Sequence, residues 1–326
     1  MNLHKKGSVV AVAIAIAFGF IAAARVGTQS NDGEIDVALP PAFLSAPEGR
    51  NVSAVDGERD VAIRHGKDSV TFSDGESLPV LWRMKSRDLV VDSEKPLGQQ
   101  YEELVALANA GNADAAVSLV EITEYCKSSF ASQEEVDDAV SFAYQTHMLK
   151  FPGMAQPSAI SEPEKVEEYI DHLVREPYQR CVSLTPKQKQ ETDHWLRMAA
   201  DLGDSLAMLE YGRLNEDKEL REKYLTESWK GGEADALRLL SEHYGQAYES
   251  GESPSNKVLA YTMFLAYERL LDAAPEGHGP VARGWLHQNQ DRLAEMTLRM
   301  HSYEISQAAG MAKELIRSNP ACCYSM

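Results

Sequence analysis

Basic residues are scarce in this 326-residue chain, where 32 Lys and Arg face 50 Asp and Glu, giving a formal net charge of −18. Proteins that wrap nucleic acid neutralise its phosphates with a surplus of Lys and Arg, so this charge argues against a nucleic-acid partner. The same deficit argues against adhesion to anionic lipid headgroups. Glycine and proline, at 21 and 14 residues, are too few for a collagen-like or wholly disordered chain.

Sequence signatures of catalysis and cofactor binding are also absent. The chain has no Gly-x-Ser-x-Gly motif, phosphate-binding loop or dinucleotide fingerprint, and neither Cys-x-x-Cys nor His-Glu-x-x-His spacing. Asp171-His172 and Asp193-His194 are sequence neighbours, which on a helix point about 100° apart and do not form a dyad. We therefore expect no enzymatic activity, no catalytic residue, no cofactor and no metal site.

The one long uncharged run lies near the N-terminus, from Gly7 to Ala24, between the pair Lys5-Lys6 and Arg25. A basic start followed by an apolar run is typical of an export signal. As a helix the run would span about 27 Å, close to the hydrocarbon thickness of a membrane. Two interpretations stay open for residues 1–24, a signal peptide and an N-terminal membrane anchor. Both place the rest of the chain outside the cytoplasm, in the periplasm, with membrane contact only through residues 7–24.

Cysteine is rare: the chain has four, at Cys126, Cys181, Cys322 and Cys323. An even number of cysteines in an exported chain permits disulfides, with three complete pairings. We predict a disulfide between Cys126 and Cys181, because it would clamp a segment of roughly fifty residues. The adjacent Cys322 and Cys323 follow the predicted helices in a tail, residues 320–326.

Apolar runs are also few from residue 25 to residue 96, where Gly, Ser, Asp, Asn and Pro are frequent. This composition predicts a flexible stalk. Short alternating stretches between Val61 and Val91 are punctuated by Gly and Pro, as strands and hairpin turns would be. A small β-ribbon and an extended segment lying on the helical domain both fit this pattern.

From residue 97 to residue 319 the sequence predicts a helical domain. Apolar residues recur at spacings of three and four, and capping hydroxyls precede Glu or Gln by three residues, as at Ser132, Ser161 and Thr185. Glycines and Pro177 are expected to end helices. The predicted helices are roughly 98–110, 112–126, 132–150, 162–176, 186–202, 204–215, 218–230, 233–250, 255–273, 280–300 and 302–318.

An internal repeat appears when Gly111, Gly203 and Gly232 are aligned. The shared positions are Ala115, Ala207 and Ala236 four residues later, and Leu119, Tyr211 and Leu240 eight residues later. Small alanines let two helices approach closely where they cross, and the larger residue one turn on fills the groove. Glycine permits the left-handed backbone that ends one helix before the next begins.

This pattern resembles the Sel-like repeat (SLR) family of the tetratricopeptide repeat (TPR) superfamily, in an exported bacterial form. The residues that fall on the family's motif are Trp195, Ala199, Ala200, Gly203, Ala207 and Gly212, followed by Gly232, Ala236, Leu240 and Gly251. The match covers about residues 98–273 and is strong over 190–270. The Gly203–Gly232 spacing is shorter than the family's unit, and residues 127–185 interrupt the array.

The resemblance implies an all-α fold of antiparallel helix-pair repeats, a TPR/SLR-like solenoid with irregular extra helices. Exported members of the family often carry disulfides within repeats, which is what the resemblance implies for Cys126 and Cys181. Family members typically act as adaptors that bind proteins or peptides on a concave surface. The residues expected by position to line such a groove are Glu242, His243, Tyr244 and Tyr248.

The function we expect is a scaffold for protein–protein or protein–peptide interaction in the cell envelope. The alternative is an envelope enzyme, or a binder of small molecules or cell-wall fragments, that uses a pocket in the helical array. A second surface of interest is the acidic run between Glu162 and Asp171, which could serve as a patch for basic peptides. An enzyme would need a pocket where titratable groups converge with shifted pKa values.

Overall fold

The computed structural model describes residues 37–44, 61–62, 69–72, 75–80, 83–84, 91–92, 95–148, 167–168, 170–274, 290–319 and 322–325. All of them belong to one unit, Val37–Met326. None of the helices in these ranges has the length and hydropathy needed to cross a membrane. The predicted leader, residues 1–24, lies outside the described residues.

Helices account for most of the described chain, which confirms the all-α prediction at the level of fold class. The α-helices are α1 Pro41–Leu44, α2 Leu97–Asn109, α3 Ala113–Lys127, α4 Gln133–Met148, α5 Glu176–Cys181, α6 Thr192–Asp201, α7 Ser205–Leu214, α8 Lys218–Lys230, α9 Asp235–Glu249, α10 Ser255–Ala273 and α11 Ser302–Arg317. Residues 290–297 are also helical. The strands are β1 Val61–Ala62, β2 Ser69–Thr71, β3 Ser77–Pro79, β4 Arg83–Met84 and β5 Tyr324–Ser325.

From α6 to α10, each helix packs on the next helix along the chain, and α10 packs on α11. The packing follows from the apolar spacing: in α9, Leu237, Leu240 and Tyr244 are all buried at intervals of three and four. Two helices joined by a short turn must run antiparallel to bury such faces against each other. The core therefore extends as a continuous layer between consecutive helices.

Between α3 and α6 the chain makes an excursion that contains α4 and α5. Cys126 near the end of α3 and Cys181 at the end of α5 are buried and lie at disulfide distance, with Cα atoms 5.4 Å apart. This link joins the two ends of the excursion. After it, α6 packs directly on α3. The excursion has a small core of its own, formed by Val136, Ile170 and Val174.

Pro177 does not end a helix, contrary to the sequence prediction. Residues Asp171–Arg175 form a π-helical turn that runs directly into α5, with Pro177 in its first turn. The Glu176 N–H bonds the Asp171 carbonyl five residues back. The prediction was wrong because a wider turn just before proline lets the chain stay helical although proline has no N–H.

The predicted helix 186–202 is divided into two elements. Thr185 and Gln188 form the predicted capping box, with the Gln188 N–H donating to Thr185 Oγ1 at 3.2 Å and Gln188 Oε1 accepting from the Thr185 N–H at 2.8 Å. The capping box lies at the start of the 3₁₀ turn Gln188–Gln190, and the α-helix begins only at Thr192. The capping signal at Ser161 lies outside the described residues.

Part of the segment predicted as a stalk packs on the helices. Strands β2 and β3 form an antiparallel hairpin in which Val70 pairs with Leu78, and both side chains are buried. The hairpin contacts α10 and α11. Glu76 fastens it by ion pairs to Lys313 at 3.2 Å and Arg317 at 2.6 Å. These residues form a short β-ribbon that lies on the helical domain and so combine features of both interpretations of the sequence.

The described residues of the C-terminal tail are also ordered against the domain. Strand β5 pairs in parallel with β4, which pairs in turn with β1. Cys322 and Cys323, the adjacent pair before β5, are buried and their sulfur atoms are in contact. The strand pairing joins the N-terminal and C-terminal parts of the described chain in one small sheet.

Candidate interaction surface

Four helices end at a glycine in the left-handed region, with φ of 94° at Gly111, 101° at Gly203, 104° at Gly232 and 81° at Gly251. At each of them the N–H after the glycine bonds the carbonyl five residues back. These bonds run from Asn112 to Leu107, Asp204 to Ala199, Glu233 to Ser228 and Glu252 to Ala247. This is the Schellman ending, and the recurrence of one backbone geometry matches the alignment of glycines in the sequence.

The helix that follows the junction is capped by the residue after the glycine in two cases. Asn112 Oδ1 accepts from the Ala115 N–H at 2.9 Å, and Asp204 Oδ1 accepts from the Ala207 N–H at 2.7 Å. Each cap satisfies a backbone donor that the first turn of a helix leaves open. The residue after the glycine therefore caps the next helix at the Gly111 and Gly203 junctions.

The remaining repeat residues lie at contacts between helices. A Cβ atom on Gly212 would approach Leu225 of α8 to 3.0 Å, so glycine permits the close approach of α7 and α8. Trp195 is buried and donates from Nε1 to the Tyr101 hydroxyl at 2.9 Å, which links α6 to α2. The other buried members of the signature are Ala199, Ala200, Ala207, Ala236 and Leu240.

Tyrosine–carboxylate hydrogen bonds recur between these helices, and sequence reasoning did not find them. The pairs are Tyr101 with Glu191, Tyr224 with Asp201, Tyr244 with Glu222 and Tyr267 with Asp235. Burial and the bond to Asp201 raise the pKa of Tyr224 to about 12. The partners are separated by 22 to 90 positions, so no local pattern signals them.

Two of the four predicted groove residues point into the domain. His243 and Tyr244 are only 7% and 4% exposed. Both meet Glu222 of α8: His243 Nε2 lies 3.4 Å from Glu222 Oε2, and the Tyr244 hydroxyl donates to Glu222 Oε1 at 2.9 Å. The hydrogen bond from His243, with a smaller contribution from Tyr244, holds the pKa of Glu222 below its usual value despite burial. These side chains join α8 to α9.

The other two predicted groove residues reach the surface. Glu242 forms ion pairs with Arg238 at 3.1 Å and Arg292 at 3.5 Å. The side chain of Tyr248 is 39% exposed, and Lys257 Nζ lies 5.9 Å from its ring centroid. The structure therefore separates the four predicted residues into a buried pair, the partly buried Glu242 and the exposed Tyr248.

An exposed apolar side chain lies near the C-terminal end of each helix that follows the junctions at Gly111, Gly203 and Gly232. These are Tyr125 in α3, Leu214 in α7 and Tyr248 in α9, which are 40%, 56% and 39% exposed. We call them the apolar row. Arg180 lies 5.2 Å from the Tyr125 ring centroid, so both tyrosines of the row have a cation beside the ring.

The acidic run noted in the sequence lines an open depression of about 590 Å³. Its described lining residues are Glu167, Glu168, Asp171, His172 and Glu176. Arg175 bonds two of the carboxylates, Glu167 at 2.5 Å and Asp171 at 2.7 Å, and His172 Nδ1 lies 3.2 Å from Glu176. Much of the negative charge is thus engaged in ion pairs within the same short stretch of chain.

Comparison with known proteins identifies no relative: no protein-family model, no curated protein and no solved structure matches the chain.

Proposed function

We propose that the helical domain is a scaffold for protein–protein or protein–peptide interaction, built as a TPR/SLR-like solenoid and exported to the cell envelope. The observation that carries the proposal is the repeated junction, in which Gly111, Gly203 and Gly232 share one ending geometry and each is followed by an acid or amide. Repeated junctions stack equivalent helices side by side and produce an extended surface, the feature that repeat proteins use for binding.

The apolar row is the part of this surface that we assign to the partner. Helices α3, α7 and α9 each follow such a junction, so in a solenoid their C-terminal ends lie along the same edge. Tyrosine is enriched at the centres of protein interfaces because its ring gives a large contact area at low entropic cost. Tyr125, Leu214 and Tyr248 repeat an exposed apolar group along that edge.

The titratable groups of α8 and α9 support a structural role over a catalytic one. Glu222 is engaged by His243 and Tyr244, and Glu242 by Arg238 and Arg292. These contacts join α8 to α9 at Glu222 and pair Glu242 within α9 and with Arg292, whereas an acid–base catalyst needs a hydrogen-bonding position open to substrate. The scaffold is therefore the function we propose, rather than the enzyme that formed the alternative.

Photo-cross-linking in the protein's own cells tests the proposal. A photo-reactive phenylalanine analogue replaces Leu214 in the full-length chain, and a matched chain carries it at Leu202, which is exposed at the C-terminal end of α6. We expect a discrete protein adduct from position 214 that is lost when Tyr125→Ala and Tyr248→Ala are added. No adduct, or the same adducts from position 202, would overturn the assignment.

A further inference from the structure

Residues 37–44, which we call the arm, lie on the helical domain in the manner of a bound peptide. The arm has no regular secondary structure up to Pro40 and ends in the single turn α1. Val37, Leu39 and Phe43 are buried at 6%, 7% and 2% exposure, while Ala38 and Pro41 are exposed. One side of the arm thus contributes three apolar anchors and the other faces solvent.

The surface beneath the arm is formed by two helices that are distant in sequence. The turn α1 contacts α8, and Gln307 of α11 donates from Nε2 to the Val37 carbonyl at 2.8 Å. We call this surface of α8 and α11 the arm site. The two helices are held together without the arm, because both pack through α9 and α10 and Asn319 donates to the Trp229 carbonyl at 2.5 Å.

The sequence of the arm suits an extended ligand. Pro40 and Pro41 fix the backbone dihedral φ and leave little conformational freedom to lose on binding. The Phe43 N–H bonds the Pro40 carbonyl at 2.9 Å, which sets the direction of the aromatic anchor. Apolar anchors at the first, third and seventh positions around a Pro-Pro pair define the chemistry that the arm site accepts.

Sixteen residues separate the arm from the next described strand, which is enough chain length for the arm to leave its site while that strand stays in place. Residues 45–60 connect Leu44 to β1, and a chain of that length reaches about 50 Å when extended. We propose that the arm is a displaceable ligand held in cis, and that the arm site binds an extended, proline-containing apolar peptide of a partner protein with the arm's own spacing. This surface is separate from the apolar row of the proposed scaffold.

The test uses the full chain carrying Phe43→Ala and a fluorescent synthetic peptide of residues 37–44. Removing the aromatic anchor weakens the tethered arm, which otherwise competes at high effective concentration. We expect the variant to stay folded by circular dichroism and to bind the peptide at least tenfold more tightly than the wild-type chain. The matched variant Ala38→Ser, at an exposed arm position, should bind like the wild type.

Two further measurements test whether the arm site binds the peptide through its phenylalanine and whether the arm opens in the wild-type chain. A peptide with alanine in place of its phenylalanine should not bind the Phe43→Ala chain. In the wild-type chain, the Phe43 amide should exchange with solvent at least tenfold faster than the amides of α10, because the arm opens locally. The proposal is overturned if Phe43→Ala unfolds the domain, if the folded variant does not bind the peptide, or if the Phe43 amide exchanges as slowly as α10. None of these outcomes affects cross-linking from Leu214, so the two proposals fail separately.

Discussion

Gly231 at the end of α8 lies directly against Ser205 at the start of α7. A Cβ atom added to Gly231 would come within 2.6 Å of Ser205 Cβ, closer than real atoms of this kind approach. Ser205 is held in place on both sides, since its hydroxyl bonds Glu233 at 2.8 Å and its carbonyl accepts from the Ser228 hydroxyl at 2.9 Å. Two successive glycine junctions therefore meet at a point with no room for a side chain.

We expect Gly231→Ala to lower the free energy of unfolding by about 1–3 kcal/mol, the usual cost of forcing a group into a well-packed contact. Urea denaturation measures it. Gly245→Ala is the matched control, because nothing lies within 4 Å of the Cβ it would add in the middle of α9. The control should be neutral or stabilising by about 0.5–1 kcal/mol, since alanine favours helix. Equal effects of the two substitutions would contradict the close approach.

The disulfide at the base of the excursion should stabilise the domain. Cys126 and Cys181 are separated by 55 positions, for which the chain-entropy model predicts about 4 kcal/mol before strain. The double substitution Cys126→Ala with Cys181→Ala should therefore lower the melting temperature, measured by calorimetry. In the wild-type chain, thiol labelling under denaturing, non-reducing conditions should leave both cysteines unmodified. Labelling of both would show that the bond is absent.

Alkaline pH should destabilise the α6–α8 contact through Tyr224. Its pKa rises from 10.0 to about 12 on folding, chiefly because of burial and then because of the bond to Asp201. A group whose pKa is raised by folding stabilises fully below its unfolded pKa and loses that contribution as pH rises through the folded value. The wild-type chain should lose more stability between pH 10 and 12 than Tyr224→Phe, which cannot ionise. Parallel pH profiles of the two unfolding free energies would contradict this role of Tyr224.

Acid should weaken the α8–α9 contact through Glu222. The hydrogen bond from His243, supported by Tyr244, lowers the Glu222 pKa from 4.5. Its stabilising contribution is complete above pH 4.5 and is lost as pH falls below that value. Between pH 5 and pH 3 we expect the wild-type chain to lose more stability than Glu222→Gln, followed by urea denaturation. Glu219→Gln, at an exposed position of the same helix, should behave like the wild type.

The predicted groove shows how far sequence could locate the candidate surface. Tyr248 is exposed, whereas His243 and Tyr244 turn inward to Glu222. The three residues are close in sequence, and periodicity alone does not say which face of α9 meets α8 and which meets solvent. That choice depends on the partner helix, because burial is decided by what packs against a face.

The amino-acid sequence determined where most of the helices begin and end. The hydrogen bonds at Gly203 and Asp204 reach at most five positions along the chain. A short stretch of sequence is therefore enough to predict them. The all-α fold class was predicted from the spacing of apolar residues. The pairing of Cys126 with Cys181 was predicted from the number and separation of the cysteines. The tertiary structure alone decided that α6 packs on α3, that Glu222 receives both His243 and Tyr244, and that the arm lies on α8 and α11. These relations join residues tens to hundreds of positions apart, and they exist because apolar surfaces are buried wherever the folded chain brings them together.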